Sequence, residues 1–226
     1  MAVISHKYKF IYTLAPRTAS TATADHLLKK LSSQWILSDH LLDEGKNIKV
    51  DKKHCTFSNL IEHEIIQKDI VKKYLTFVTV RNPFESLYSA WYKKKYTYTK
   101  LLKDTNSFVY KKPDFLKDMV YIKNHDFSDW VVKNYEKLAQ DDIARHINGT
   151  YLNYTDRVLR FEYLNEDFEK LMQDYNIPYP GKIPVINITE GKPSDYRKFY
   201  TTKAREIIQK TYSLDLEKFS YDFNQV

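Results

Sequence analysis

"YTLAPRTASTATADHLLKK", Tyr12 to Lys30, follows the apolar, β-leaning run Lys7–Tyr12 and leads into a helical pattern. It holds five hydroxyl side chains (Thr13, Thr18, Ser20, Thr21, Thr23), one proline and one arginine, and no glycine. Strand, polar turn, then helix is the geometry that turns backbone N–H groups and a positive helix end toward an anion. Arg17 adds a fixed positive charge to that turn.

A second stretch repeats the arrangement. "YLTFVTV", Tyr74–Val80, is apolar or β-branched nearly throughout and lacks alternation, as a central parallel strand covered on both faces would. It stops at Arg81 and is followed by Asn82, Pro83 and Glu85, which read as an N-cap, a first-position proline and a capping-box acid for a helix to about Lys95. Between the two junctions, Thr21–Ser33 reads as a helix with Ala24, Leu27, Leu28 and Leu31 on one face and Ser20 or Thr21 as its cap.

Further along, Asp126–Ala139 has the best amphipathic period, Asp156–Leu164 reads as a strand, and a helix runs from Asn165 toward Pro178. Ile177–Tyr196 holds four of the seven prolines and two of the four glycines, so it reads as a long loop. Thr201–Phe219 closes the chain as helix. Alternating strands and helices predict an α/β fold: an open parallel sheet with helices on both faces, residues 1–226 forming a single domain. In such sheets ligands sit at the carboxyl ends of the strands, where both cation-bearing junctions fall.

Composition narrows the partner. Lys plus Arg number 36 against 29 Asp plus Glu, a formal charge of +7 that favours an anionic partner. Cys55 is the only cysteine, which excludes an internal disulfide and any multi-cysteine metal site. No window approaches a membrane span, and "MAVISHKYKF" shows no long apolar segment after a basic start, so the expectation is a cytoplasmic protein. Asn148, Asn153 and Asn187 begin glycosylation sequons, to which that setting gives little weight. The phosphate-binding string G-x-x-x-x-G-K-[ST] is absent, which counts against a nucleotide-dependent phosphoryl transferase. "WYKKKYTYTKLLK", Trp91–Lys103, interleaves five lysines with four aromatic residues and keeps a nucleic-acid-binding protein as an alternative.

The two junctions together resemble sulfotransferases that use 3′-phosphoadenosine 5′-phosphosulfate (PAPS). "PRTASTA", Pro16–Ala22, is similar to their P-loop-like 5′-phosphosulfate loop, and "FVTVRNPFESLYSAWYK", Phe77–Lys93, to their 3′-phosphate motif. "VLRFEYLNEDFEKLMQDYNIP" and "DYRKFYTTKAREIIQKTYSLDLEKFSYDF" look like the family's later strand–helix and closing segments. Trp35–Asp51 and Tyr96–Thr155 stay unmatched, and acceptor specificity is expected there.

The resemblance implies the sulfotransferase fold, with Arg17, Thr18, Ala19, Ser20, Thr21 and Ala22 on the 5′ side of the donor. Arg81 and Ser89 would hold its 3′-phosphate. Lys192 and Arg197 would reach the donor from the long loop, and no metal is implied. "H-x-x-[FY]" before the 3′-phosphate strand is matched by His54 and Phe57, a feature of the carbohydrate branch (heparan sulfate 2-O-like). It implies His54 as general base toward a hydroxyl-bearing acceptor such as a glycan, with His63 and Glu62 as reserves. The family usually has lysine where this chain has Arg17, which cannot act as an acid. Product nucleotide would be 3′-phosphoadenosine 5′-phosphate.

Overall fold

The computed structural model describes residues 2–141, 143–186 and 189–225. In chain order the elements are β1 (Ala2–Ser5), β2 (Phe10–Thr13), α1 (Ser20–Lys30), β3 (Gln34–Trp35), β4 (Leu41–Leu42), β5 (Ile48–Val50), α2 (Phe57–Glu62), α3 (Lys68–Lys73) and β6 (Leu75–Val80). There follow α4 (Pro83–Tyr96), α5 (Pro113–Asn124), α6 (Phe127–Gln140), α7 (Gly149–Leu152), β7 (Arg157–Arg160), α8 (Leu164–Asp174), α9 (Thr202–Thr211) and α10 (Ser213–Phe219). The sequon at Asn187 lies outside the described residues.

The chain forms two compact units, Met1–Arg81 with Asn148–Ile188, and Asn82–Ile147 with Thr189–Val226. Each is built from separated stretches of sequence. The junction after β6 is also where the chain passes from the first to the second.

The first unit contains a five-stranded sheet of order β3-β1-β2-β6-β7. Three strands, β2, β6 and β7, run parallel; β1 pairs antiparallel with both β2 and β3. The sheet is therefore mixed, where an all-parallel one was expected. "AVIS" is too short to show a period, and its β1–β2 hairpin turns at Lys9, whose φ is +52°. The β-leaning run Lys7–Tyr12 accordingly enters a strand only at Phe10, and β2 ends at Thr13. A small hairpin of β4 and β5 occupies part of the stretch the sequence left undeciphered.

Every residue of β6 is buried, as its unbroken apolar run predicts. Apolar side chains cover the sheet on both faces. Phe10, Tyr12, Leu14, Leu27, Phe77, Leu159 and Phe168 make one cluster; Ile4, Ile11, Val50, Cys55, Phe57 and Leu60 make another. Tyr12 Oη and Thr79 Oγ1, 3.0 Å apart, supply a buried polar tie between β2 and β6.

In the second unit α4, α5, α6 and α9 pack around Phe84, Tyr88, Trp91, Met119, Phe127, Trp130 and Ile208. The cap read from sequence at Asn82 is in place, its Oδ1 accepting from the N–H of Phe84 at 3.1 Å, and the structure adds one at Asp126, which caps α6 through the N–H of Asp129 at 2.8 Å. The helix expected over Thr201–Phe219 breaks at Tyr212, where α10 begins and Asp215 turns back to accept from the N–H of Ile147.

The basic run at the end of α4 is partly structural. Lys94 pairs with Asp118 at 2.6 Å, and Lys95 Nζ donates to the carbonyls of Ile122, Lys123 and His125, closing the end of α5.

Candidate functional site

Thr13 ends β2, and the chain reaches α1 through Leu14–Ala19. Two of these residues, Arg17 (φ +65°) and Ala19 (φ +57°), adopt the left-handed conformation that costs a non-glycine residue roughly 1–2 kcal/mol. The loop is braced from within, because the Ala15 carbonyl accepts from Thr18 Oγ1 at 2.9 Å and from Ser20 Oγ at 2.8 Å. Both hydroxyl protons thus face the loop's own backbone rather than an anion.

The cap of α1 is Ala19, one or two positions before the residues expected. Its methyl group cannot accept a hydrogen bond, so the cap residue offers nothing to the N–H groups of the first turn. The first turn carries no acid, and Lys29 and Lys30 lie in the last. Asp25, with Lys29 at 2.8 Å, sits too far along to offset the positive helix end.

Arg81 follows β6 and is 6% exposed. Its Nη1 donates to the Arg17 carbonyl at 2.9 Å, and its guanidinium carbon lies 3.8 Å above the Phe161 ring centre. Phe161 itself comes directly after β7. Residues following three adjacent parallel strands therefore converge: the Arg17 loop after β2, Arg81 after β6 and Phe161 after β7. This is the carboxyl-end position where open α/β sheets bind ligands.

His54 joins that edge from outside the sheet. Its Nδ1 lies 3.2 Å from the Leu14 carbonyl. A carbonyl only accepts, so Nδ1 carries the proton and Nε2 holds the lone pair. On one side the Asp51 carboxylate accepts from the N–H groups of Lys53 (2.6 Å) and His54 (3.3 Å). On the other, Thr56 and Asn59 form a reciprocal capping box that starts α2, and Phe57 is fully buried. Burial lowers the His54 pKa below its ordinary 6.5, with the Leu14 carbonyl and the Asp51 carboxylate opposing. The reserve residue His63 ends α2, and Glu62 is exposed.

The remaining candidates belong to the second unit. Ser89 lies on α4 and is 2% exposed. Lys192 Nζ sits 3.2 Å from Glu85 and over the Tyr88 ring, while Tyr92 Oη donates to the neighbouring Gly191 carbonyl at 2.6 Å. Arg197 pairs with Asp195 at 2.7 Å.

A model of the sulfotransferase family matches residues 1–222. This chain belongs to the sulfotransferase family. No curated protein and no solved structure matches it significantly. The sulfotransferase is thus an enzyme that transfers sulfuryl groups. Among its described residues no helix is long and apolar enough to cross a membrane.

Three participants in the site were not singled out from sequence. The Leu14 carbonyl is backbone and has no residue signal. Phe161 is an aromatic residue directly after a strand, and only the register of β6 on β7 puts it beneath Arg81. Asp51, three residues before His54, does carry a signal, since Asp commonly binds the backbone two residues ahead.

Proposed function

We propose that this sulfotransferase moves the sulfuryl group from PAPS to an acceptor hydroxyl by in-line transfer, with His54 as general base. The observation that carries the proposal is the His54–Leu14 hydrogen bond. It fixes the tautomer whose Nε2 accepts a proton, and it ties that base to the residue opening the anion loop. On the resemblance to the carbohydrate branch, the acceptor is a carbohydrate or a small alcohol.

The uncapped first turn of α1 and the side chain of Arg17 suit the phosphosulfate end of the donor. Arg81, held by the Arg17 carbonyl and set over Phe161, suits a second phosphate, the 3′ group, because a guanidinium matches phosphate oxygens two at a time. Ser89, Lys192 and Arg197 are carried as donor contacts on the resemblance alone.

In the transfer, Nε2 of His54 takes the acceptor's proton as the new oxygen–sulfur bond forms and the phosphate–sulfur bond breaks. Negative charge then grows on the departing phosphate, where Arg17 and the α1 amides stabilise it. Arg17 does so as a permanent cation and donates no proton.

Calorimetric titration with 3′-phosphoadenosine 5′-phosphate tests the donor assignment, with ATP as control. Micromolar binding that ATP does not compete for, and that weakens by about 1.5–3 kcal/mol in Arg81→Ala, is expected for a lost charged hydrogen bond. A folded protein that fails to bind the nucleotide overturns the reading.

A further inference from the structure

We propose that Asp51 is the positioning residue of the base: its carboxylate, fixed on two successive backbone N–H groups, sets the turn that aims the His54 ring at the Leu14 carbonyl. The proposal rests on the reading of His54 as the base but is separable from it by measurement.

His54 lies in no helix or strand, so nothing regular fixes its backbone. Three local ties replace that regularity. Asp51 Oδ1 holds the N–H groups of Lys53 and His54 at 2.6 and 3.3 Å; the capping box holds Thr56; the Leu14 carbonyl holds the ring. Only the first acts on the His54 backbone itself. Removing it would leave the ring held by one hydrogen bond to a neutral carbonyl, a bond with a net value of about 1 kcal/mol.

The carboxylate is itself anchored. Val50, just before it, is 1% exposed and lies in the core beneath β5. Across from it, the N–H of Lys52 donates to His40 Nδ1 at 3.1 Å, and Lys52 Nζ reaches Asp39 at 3.0 Å, so residues 39–40 and 51–52 are stitched together. His40 Nδ1 stands 3.8 Å from Asp51 Oδ1. Hydrogen bonds from the N–H groups of Lys53 and His54 hold the Asp51 carboxyl below the ordinary range although burial opposes them, so it stays an acceptor at neutral pH. Among the described residues, Lys53 and Asp51 are the charged groups that act on His54, with His40 beside Asp51 and with buried Cys55 and Tyr151 beyond.

Two substitutions separate geometry from charge. Asp51→Asn keeps an oxygen for both N–H groups and loses the charge; Asp51→Glu keeps the charge, but its extra methylene spoils the tight turn. The tautomer of His54 is read by nitrogen-15 NMR of the imidazole in the full chain, with His54→Gln assigning the signal. PAPS turnover with methyl glucoside, whose hydroxyls need a base to lose their protons, is followed in parallel.

Asp51→Asn is expected to retain the Nδ1–H tautomer. Asp51→Glu is expected to mix the tautomers and lower kcat about three- to tenfold, the rate equivalent of one misplaced hydrogen bond, with KM for PAPS unchanged. A wild-type tautomer in Asp51→Glu overturns the proposal. If the tautomer shifts but His54→Gln turns over like the wild type, Asp51 still positions the ring and the base assignment fails instead.

Discussion

The ring of His54 hangs from the carbonyl of Leu14, Nδ1 to oxygen 3.2 Å, and so the residue that opens the anion loop also orients the imidazole. His54→Ala should therefore lower kcat by about 10²–10⁴, the usual worth of a general base, while binding of 3′-phosphoadenosine 5′-phosphate stays within about twofold. The pH profile follows from burial, the largest influence on this group, which holds its pKa below 6.5. The neutral, proton-accepting form then persists into mild acid, so kcat/KM should rise through a pKa under 6.5 and level off above it. Stability has the matching sign. Because the folded pKa is depressed, the unfolded chain binds the proton more readily, and stability is lost as pH falls below the unfolded value. Melting curves should show His54→Ala losing less stability than the wild type on acidification from about pH 7.5 to about 5.5.

Arg81 places its guanidinium carbon over the Phe161 ring at 3.8 Å from its centre, so the ring holds the cation in place. Phe161→Leu removes the aromatic face while filling similar volume. A stability loss of about 1–2 kcal/mol is expected for a largely desolvated cation–π pair. Calorimetry should also show weaker binding of the product nucleotide, because the freed side chain must be ordered again on binding. Phe161→Tyr retains the ring and should bind like the wild type; equal weakening in both variants would show that Phe161 acts by packing alone.

His146 Nδ1 and Asp215 Oδ1 form a second histidine–carboxylate pair, 3.0 Å apart, within the helical unit. Asp215 is 2% exposed, and burial raises its pKa even though the N–H of Ile147 and His146 pull the other way. Asp215→Ala orphans both donors and should destabilise the protein by about 1–3 kcal/mol. A raised folded pKa means that Asp215's own titration contributes stability below the unfolded pKa and loses it as pH rises through the folded one. Thermal melts should accordingly show the variant's deficit largest in acid and smaller near neutrality. A deficit that grows with pH would mean that the ion pair outweighs the burial of the carboxylate.

How far the sequence carried this architecture depended on segment length. Leu75–Val80 was legible because six consecutive buried positions leave an unmistakable apolar run, and α6 because its period persists for four turns with Asp126 at its head. Four-residue β1 has neither, so the antiparallel half of the sheet went unseen. At the site, charge and hydroxyl content pointed to the Arg17 loop and Arg81, and the family resemblance pointed to His54. What joins them is the Arg17 carbonyl, the Leu14 carbonyl and the face of Phe161. Backbone acceptors are the same in every residue, and a ring's neighbours depend on register, so neither leaves a mark in composition or spacing.

Ala19 caps α1 from the left-handed region, at φ +57°, without a side chain that can accept from the first turn. Both properties are unfavourable for stability and useful for an anion site. The strain holds the loop in one form, and the missing cap leaves the helix amides uncommitted. Ala19→Gly removes the strain, because glycine enters that region freely, and should raise stability by about 1 kcal/mol. The same freedom enlarges the set of loop conformations in the unliganded protein, so ordering it on binding costs more. Product nucleotide should then bind more weakly although no contacting side chain has changed. Thermal melting and calorimetry on the one variant should move in opposite directions; a variant that both melts later and binds as tightly as the wild type would show that the strain at Ala19 has no role in holding the anion.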